Sequence, residues 1–176
     1  MVNRKKRVLD DKRILAVDDE PDVLEALEEE LEDYEGLVLD TAKDFRTGYN
    51  LIRSWTYDIV ILDIMGVRGF DLLNAAVQLH FPAVMLTAHA LNPESLRQSI
   101  ELGARAYIPK ENLAEITHFL EDVLTLGYQP MWRRVFDRLE GIFNASFGPL
   151  WQKDQKVLWE QVRSGRYELK PVILKK

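Results

Sequence analysis

Five side chains spread along this sequence are of types that together could handle phosphate. Asp18, Asp19 and Asp63 are carboxylates, Thr87 carries a hydroxyl and Lys110 an ammonium, and each stands at the end of a short apolar run. In "DIVILD" (58–63), four apolar residues, Ile59 to Leu62, run straight into Asp63, and a loop with Gly66 and Gly69 follows. Singly, each residue has a local explanation. Asp18 or Asp19 can cap a helix starting near Pro21, Thr87 can satisfy backbone at a strand end, and Lys110 can be a solvated lysine. Brought together, three carboxylates repel by roughly 4 kcal/mol per close pair at an effective dielectric of 20, so the cluster needs cations. One lysine and one divalent ion balance three carboxylates. Donors that are all oxygen suit Mg2+, which keeps several waters and takes phosphate oxygens as further ligands. An ionised Asp63 is a competent nucleophile toward an activated phosphoryl group. The metal and Lys110 would offset charge on the phosphoryl oxygens, and the Thr87 hydroxyl would donate to one of them.

Convergence of these residues requires a sheet that gathers its strand ends at one edge. The spacing predicts strands over 13–18, 37–41, 58–63, 82–87 and 105–109, alternating with a helix within 18–34, with Pro21 in its first turn, and helices over 44–55, 70–80, 93–103 and 112–127. Strands this uniformly apolar, interleaved with helices, imply a doubly wound five-stranded parallel sheet buried on both faces. In such sheets the functional crevice lies beyond the carboxyl ends of the strands.

The composition sets bounds. Hydrophobic residues make up 47% of 176, enough for a core, and no cysteine is present, which excludes disulfides and thiolate metal sites. No apolar run approaches the ~18 residues of a membrane span, no signal-peptide core follows the basic N-terminus, and a cytoplasmic location is expected. Residues 1–11, with "RKKR" at 4–7, read as a solvated tail. Before residue 131 there are 13 basic and 24 acidic side chains; after it there are 10 and 5. An acidic body with a basic tail suggests two units, 12–127 and 128–176.

Over about residues 12–127 the sequence resembles the receiver domain of two-component response regulators. The resemblance rests on the pair Asp18-Asp19, on Asp63, on Thr87 in "MLTA", on Tyr107, and on Lys110 in "YIPK". It implies a flavodoxin-like receiver fold with Asp63 as phosphoacceptor, served by a sensor histidine kinase or a phosphotransfer protein in a phosphorelay. It also implies that Asp19 and Asp63 ligate Mg2+ directly, that Asp18 acts through water, and that the Met65 carbonyl is a further ligand. Thr87 and Tyr107 would form the switch. Thr87 moves inward on phosphorylation and Tyr107 turns from exposed to buried, reshaping the face made by the fourth helix, fifth strand and fifth helix. Three departures stand out. The loop "IMGVRG" after Asp63 lacks the family's proline, is about two residues short, and has Arg68 before Gly69. The helix that follows looks shortened. Glu111, not proline, follows Lys110. Met65 and His89 would flank the pocket.

The tail reads as two helices, with Trp132, Val135, Phe136, Leu139, Ile142, Phe143 and Phe147 on the first and Leu150, Trp151, Leu158 and Val162 on the second. These stripes must be buried, against the receiver, against each other, or at a dimer or partner interface. His118 and Phe119 either line a partner surface or belong to the core. We read the extension as contacting protein, a second copy or a downstream partner, and not nucleic acid. The alternatives are a pseudo-receiver scaffold, a transcriptional regulator using the basic tail, or a Mg2+-dependent phosphohydrolase of the haloacid dehalogenase type. The last needs an aspartate two residues after its nucleophile, where Met65 and Glu20 stand.

Overall fold

The computed structural model describes residues 4–88, 92–153, 156–164 and 166–167. Five strands form one parallel sheet: β1 (Arg13–Val17), β2 (Val38–Ala42), β3 (Ile59–Asp63), β4 (Ala83–Thr87) and β5 (Ala106–Pro109), in the order β2-β1-β3-β4-β5. The connecting helices are α1 (Pro21–Leu31), α2 (Phe45–Ser54), α3 (Gly69–Gln78), α4 (Pro93–Glu101) and α5 (Ile116–Thr125). β3 and β4 are buried at every residue, which is why they read as unbroken apolar runs. α1 buries Val23, Leu24, Leu27 and Leu31, its apolar stripe, and starts at Pro21, whose missing N–H costs nothing there. The amide of Thr47 donates to the Asp44 carboxylate, which caps α2.

The order reverses direction between β1 and β3, which pair side by side with Val17 opposite Leu62. The next residues, Asp18 and Asp63, therefore leave the sheet together at its switch point.

Several boundaries differ from those expected. β1 ends at Val17, one residue before Asp18. The helix expected over 112–127 begins instead as a 3-10 turn, Lys110–Glu115, before α5. Residues from Arg7 onward are not a solvated tail. Leu9 is fully buried, Asp10 accepts from the amides of Arg7 and Glu35, and the Arg7 guanidinium lies 3.9 Å from the Tyr34 ring centre. One local hydrogen bond, one from Glu35 25 residues away and a buried leucine outweigh the solubility of "RKKR", which the charge pattern alone could not register.

The C-terminal region forms α6 (Tyr128–Phe147) and α7 (Lys156–Ser164), with turns over residues 150–153 where a longer second helix was expected. Most of its apolar stripe is buried within the chain, but Phe147 and Leu150, expected to be buried with it, are exposed. Phe136, Phe143, Trp151 and Trp159 cluster with ring centres 5.0–5.9 Å apart. α6 lies along β5 and α5. The Trp132 indole donates to the Ala104 carbonyl at 2.6 Å, Arg134 pairs with Asp122 at 2.5 Å, and Arg138 pairs with Glu115 at 3.3 Å. Arg138 also lies 4.7 Å above the Phe119 ring, so Phe119 is core under α6, while its neighbour His118 is exposed.

Because both regions share this core, we expect unfolding to be one cooperative transition. Tryptophan fluorescence, with three of the four tryptophans in the C-terminal region, should trace the same urea curve as far-UV circular dichroism. Trp132→Phe removes the indole donor and strands a buried carbonyl, a loss of about 2 kcal/mol. An early, separate fluorescence phase would contradict the shared core.

Candidate functional site

Asp18, Asp63 and Lys110 meet at the carboxyl edge of β1, β3 and β5. The Lys110 ammonium stands 2.8 Å from Asp18 Oδ2, 2.9 Å from Glu20 Oε1 and 3.3 Å from Asp63 Oδ1. Lys110 follows β5 directly, so the strand end aims the side chain back across the edge. A pocket of about 440 Å³ opens beside it, lined by Asp19, Glu20, Asp63, Met65, Gly66, Thr87, Ala88 and Lys110. The structure thus gathers Asp18, Asp19, Asp63, Met65, Thr87 and Lys110, as the sequence predicts. Tyr107 stands behind the pocket. His89 lies outside the described residues.

Sequence reasoning missed Glu20 as a member of this cluster. Carboxylate oxygens of Asp18, Asp19 and Glu20 lie within 4.8 Å of one another, a grouping suited to a cation, while Asp63 faces them across Lys110. The signal was the unbroken acidic run "DDE", whose third member looked like part of the helix start; it accepts no capping bond there. The donors are all oxygen, and Asp18 and Asp63 are almost fully buried with one ammonium between them, so the set fits a hard divalent cation.

The loop after Asp63 is shaped by two glycines. Gly66 has φ +81°, and a Cβ there would fall 2.3 Å from an Asp19 carboxylate oxygen. A Cβ on Gly69 would fall 2.0 Å from the Asp63 carbonyl. The short loop therefore folds hard against the residues it follows. Arg68 takes a left-handed φ of 54°, held by its salt bridge to Asp71 and by stacking over Phe45.

Thr87 is buried, and its hydroxyl has no hydrogen-bond partner among the described residues. The Tyr107 hydroxyl, near enough to Thr87 to be influenced by it, bonds the Ser95 hydroxyl instead at 2.7 Å. Tyr107 is 1% exposed, so the phenol is already in its buried position. Burial raises its pKa.

Burial, then the neighbouring Asp18 charge, pushes the Asp63 carboxyl up to about 6. Asp18 is raised as well, chiefly by burial and against the pull of Lys110. Burial would lower the Lys110 ammonium, but hydrogen bonds to Asp18 and Glu20 outweigh it and raise it.

Comparison with known proteins bears on this geometry. The sequence profile of the response regulator receiver domain family matches residues 14–121. The chain belongs to the response regulator receiver family. It is 35% identical over 102 residues to the probable transcriptional regulatory protein SilR of Salmonella typhimurium, covering 56% of this chain and 44% of that protein. Among solved structures it is similar to the NtrX receiver domain of Brucella abortus (31% identity, TM-score 0.53, 65% of this chain and 99% of that one). It is likewise similar to a CheY-like receiver of Methanospirillum hungatei (28% identity, TM-score 0.54, 66% and 98%). The chain spans less than half the length of these curated relatives. The receiver profile ends before α6, so the C-terminal helices lie outside the matched region.

Two outcomes test this receiver site. An Asp63 pKa raised from 3.8 in the unfolded chain to about 6 in the folded one favours folding when protonated. That advantage is full below pH 4 and disappears as pH rises through 6. In chelator, Asp63→Asn should therefore be more stable than the parent by about 2–3 kcal/mol at pH 7.5, with the difference closing toward pH 4; denaturant melts across pH measure it. Gly69→Ala, which forces the loop away from Asp63, should cost about 3 kcal/mol or more, and a melt of the variant checks it.

Proposed function

We propose that residues 12–127 act as a phosphoacceptor receiver in phosphorelay signal transduction, and that 128–176 form its protein-contact element. The observation that carries this reading is a buried Asp63 carboxylate 3.3 Å from the Lys110 ammonium, beside a buried Thr87 hydroxyl that has no hydrogen-bond partner among the described residues. A pKa of about 6 leaves Asp63 roughly nine-tenths ionised at pH 7, ready to attack. The donor is a phosphohistidine on a sensor kinase or phosphotransfer protein. An Asp63 oxygen forms a bond to phosphorus as the P–N bond breaks, and the donor imidazole departs with the electron pair. Lys110 holds one phosphoryl oxygen and Thr87 donates its proton in a hydrogen bond to another, satisfying the stranded hydroxyl. Asp18, Asp19 and Asp63, with the Met65 carbonyl, are the residues that would hold Mg2+, and Glu20 borders them. When bound, the ion supplies positive charge beside the transferring group.

The reading as a phosphohydrolase lacks a residue to protonate a leaving group two positions past Asp63, where Met65 is largely exposed. Two of the tail's basic side chains, Arg134 and Arg138, are paired with Asp122 and Glu115, which leaves less free positive charge for a nucleic acid. We place the protein in the cytoplasm; no described helix is long and apolar enough to cross a membrane.

Incubation with Mg2+ and acetyl phosphate should add one phosphate by intact mass to the parent. Asp63→Asn should add none, EDTA should abolish the adduct, and Lys110→Ala should slow it by about a hundredfold. An unlabelled parent would leave the chain a non-phosphorylating scaffold; continuous release of phosphate from small esters would make it a hydrolase.

A further inference from the structure

β5 is the last strand of the sheet, and an edge strand exposes unpaired backbone unless something covers it. All four β5 residues are nonetheless buried. The cover is α6, anchored by Trp132 to the Ala104 carbonyl just before β5 and by Arg134 and Arg138 to the acidic side of α5. On its inner side the Tyr107 hydroxyl bonds Ser95, in the first turn of α4, which Asn92 caps. The same turn faces the C-terminal aromatic cluster across a cavity of about 730 Å³, lined on one side by Asn92, Glu94 and Arg97 and on the other by Phe147, Trp151 and Trp159. α4 is thus bonded to Tyr107 but loosely filled against the tail, which leaves it room to shift.

We propose that docked α6 is what keeps Tyr107 inward, so that this chain occupies its own α4–β5–α5 face. An outward Tyr107 needs the space along β5 that α6 fills, so the phenol leaves only when the helix lifts. Resting on the receiver reading above, tail docking and phosphorylation of Asp63 favour the same inward state, and each strengthens the other by linkage. A partner or second copy seeking this face must first displace α6, and does so more readily before phosphorylation than after it.

The test uses the full chain in two variants. Trp132→Ala removes the buried anchor; Arg134→Glu with Arg138→Glu reverses two exposed charges against Asp122 and Glu115 and spares the core. Hydrogen exchange across α6 scores lifting, and nitration by tetranitromethane, located by peptide mass, scores exposure of Tyr107. Without Mg2+ or phosphoryl donor, nitration at Tyr107 should rise about tenfold in whichever variant frees α6. Acetyl phosphate labelling of Asp63 in that variant should slow several-fold relative to the parent. Tyr107 that stays protected while α6 exchanges freely overturns the proposal, as does α6 that stays protected in both variants. The nitration arm contains no phosphate chemistry, so it stands or falls apart from the question of whether Asp63 accepts phosphate.

Discussion

Four carboxylates face one ammonium at the carboxyl edge of this sheet, and much of the architecture serves that imbalance. Asp18 and Asp63 are buried, Lys110 bridges them, and Glu20 reaches in from solvent. At an effective dielectric of 20, a close carboxylate pair repels by about 4 kcal/mol, close to what one lysine contact returns. The excess negative charge is left for an ion. Burial, and after it the neighbouring Asp18 charge, pushes the Asp63 carboxyl up to about 6 from the usual carboxylate range. An arrangement that penalises its own resting charge is poorly suited to a purely structural role and well suited to receiving a cation and a phosphoryl group.

Backbone geometry makes the crowding possible. β1 and β3 pair directly, so their terminal aspartates cannot avoid each other. The loop after Asp63 is short enough that glycine is required where it touches the Asp63 carbonyl and where it touches the Asp19 carboxylate. Arg68 then sits in left-handed geometry with its side chain tied to Asp71 and Phe45. The missing proline of this loop is compensated by contact: the turn is fixed by what it presses against.

The strand ends were readable from the sequence because a strand buried on both faces is an unbroken apolar run, and the first polar residue after it marks the edge. "DIVILD" needed no tertiary information to place Asp63. Glu20 was not readable, since an acidic residue before Pro21 is an ordinary helix start and its reach to Lys110 depends on a residue 90 positions away. Phe119 and the tail stripes posed a different problem. Periodicity shows that a helix face is apolar but not what covers it, so Trp132 and Phe136 left packing within the chain and burial against an outside partner both open. The order of charges, acidic body and basic tail, suggested two units; in the structure Arg134 and Arg138 of the tail lie against Asp122 and Glu115 of the body.

Those exposed pairs contribute little energy on their own, about 0–1 kcal/mol each. The indole bond to Ala104 and the buried apolar face of α6, with Met131, Trp132, Val135 and Leu139, carry the attachment, and the arginines set its register along α5. An attachment of this kind is firm at one end and loose at the other, where the cavity separates the aromatic cluster from α4. At the loose end α4 is tied to Tyr107 through Ser95, and Thr87, whose hydroxyl has no hydrogen-bond partner among the described residues, lines the Asp63 pocket. A change of charge at Asp63 therefore meets its least resistance along the path that leads to the tail. That path is where a small local event can be converted into a change of surface.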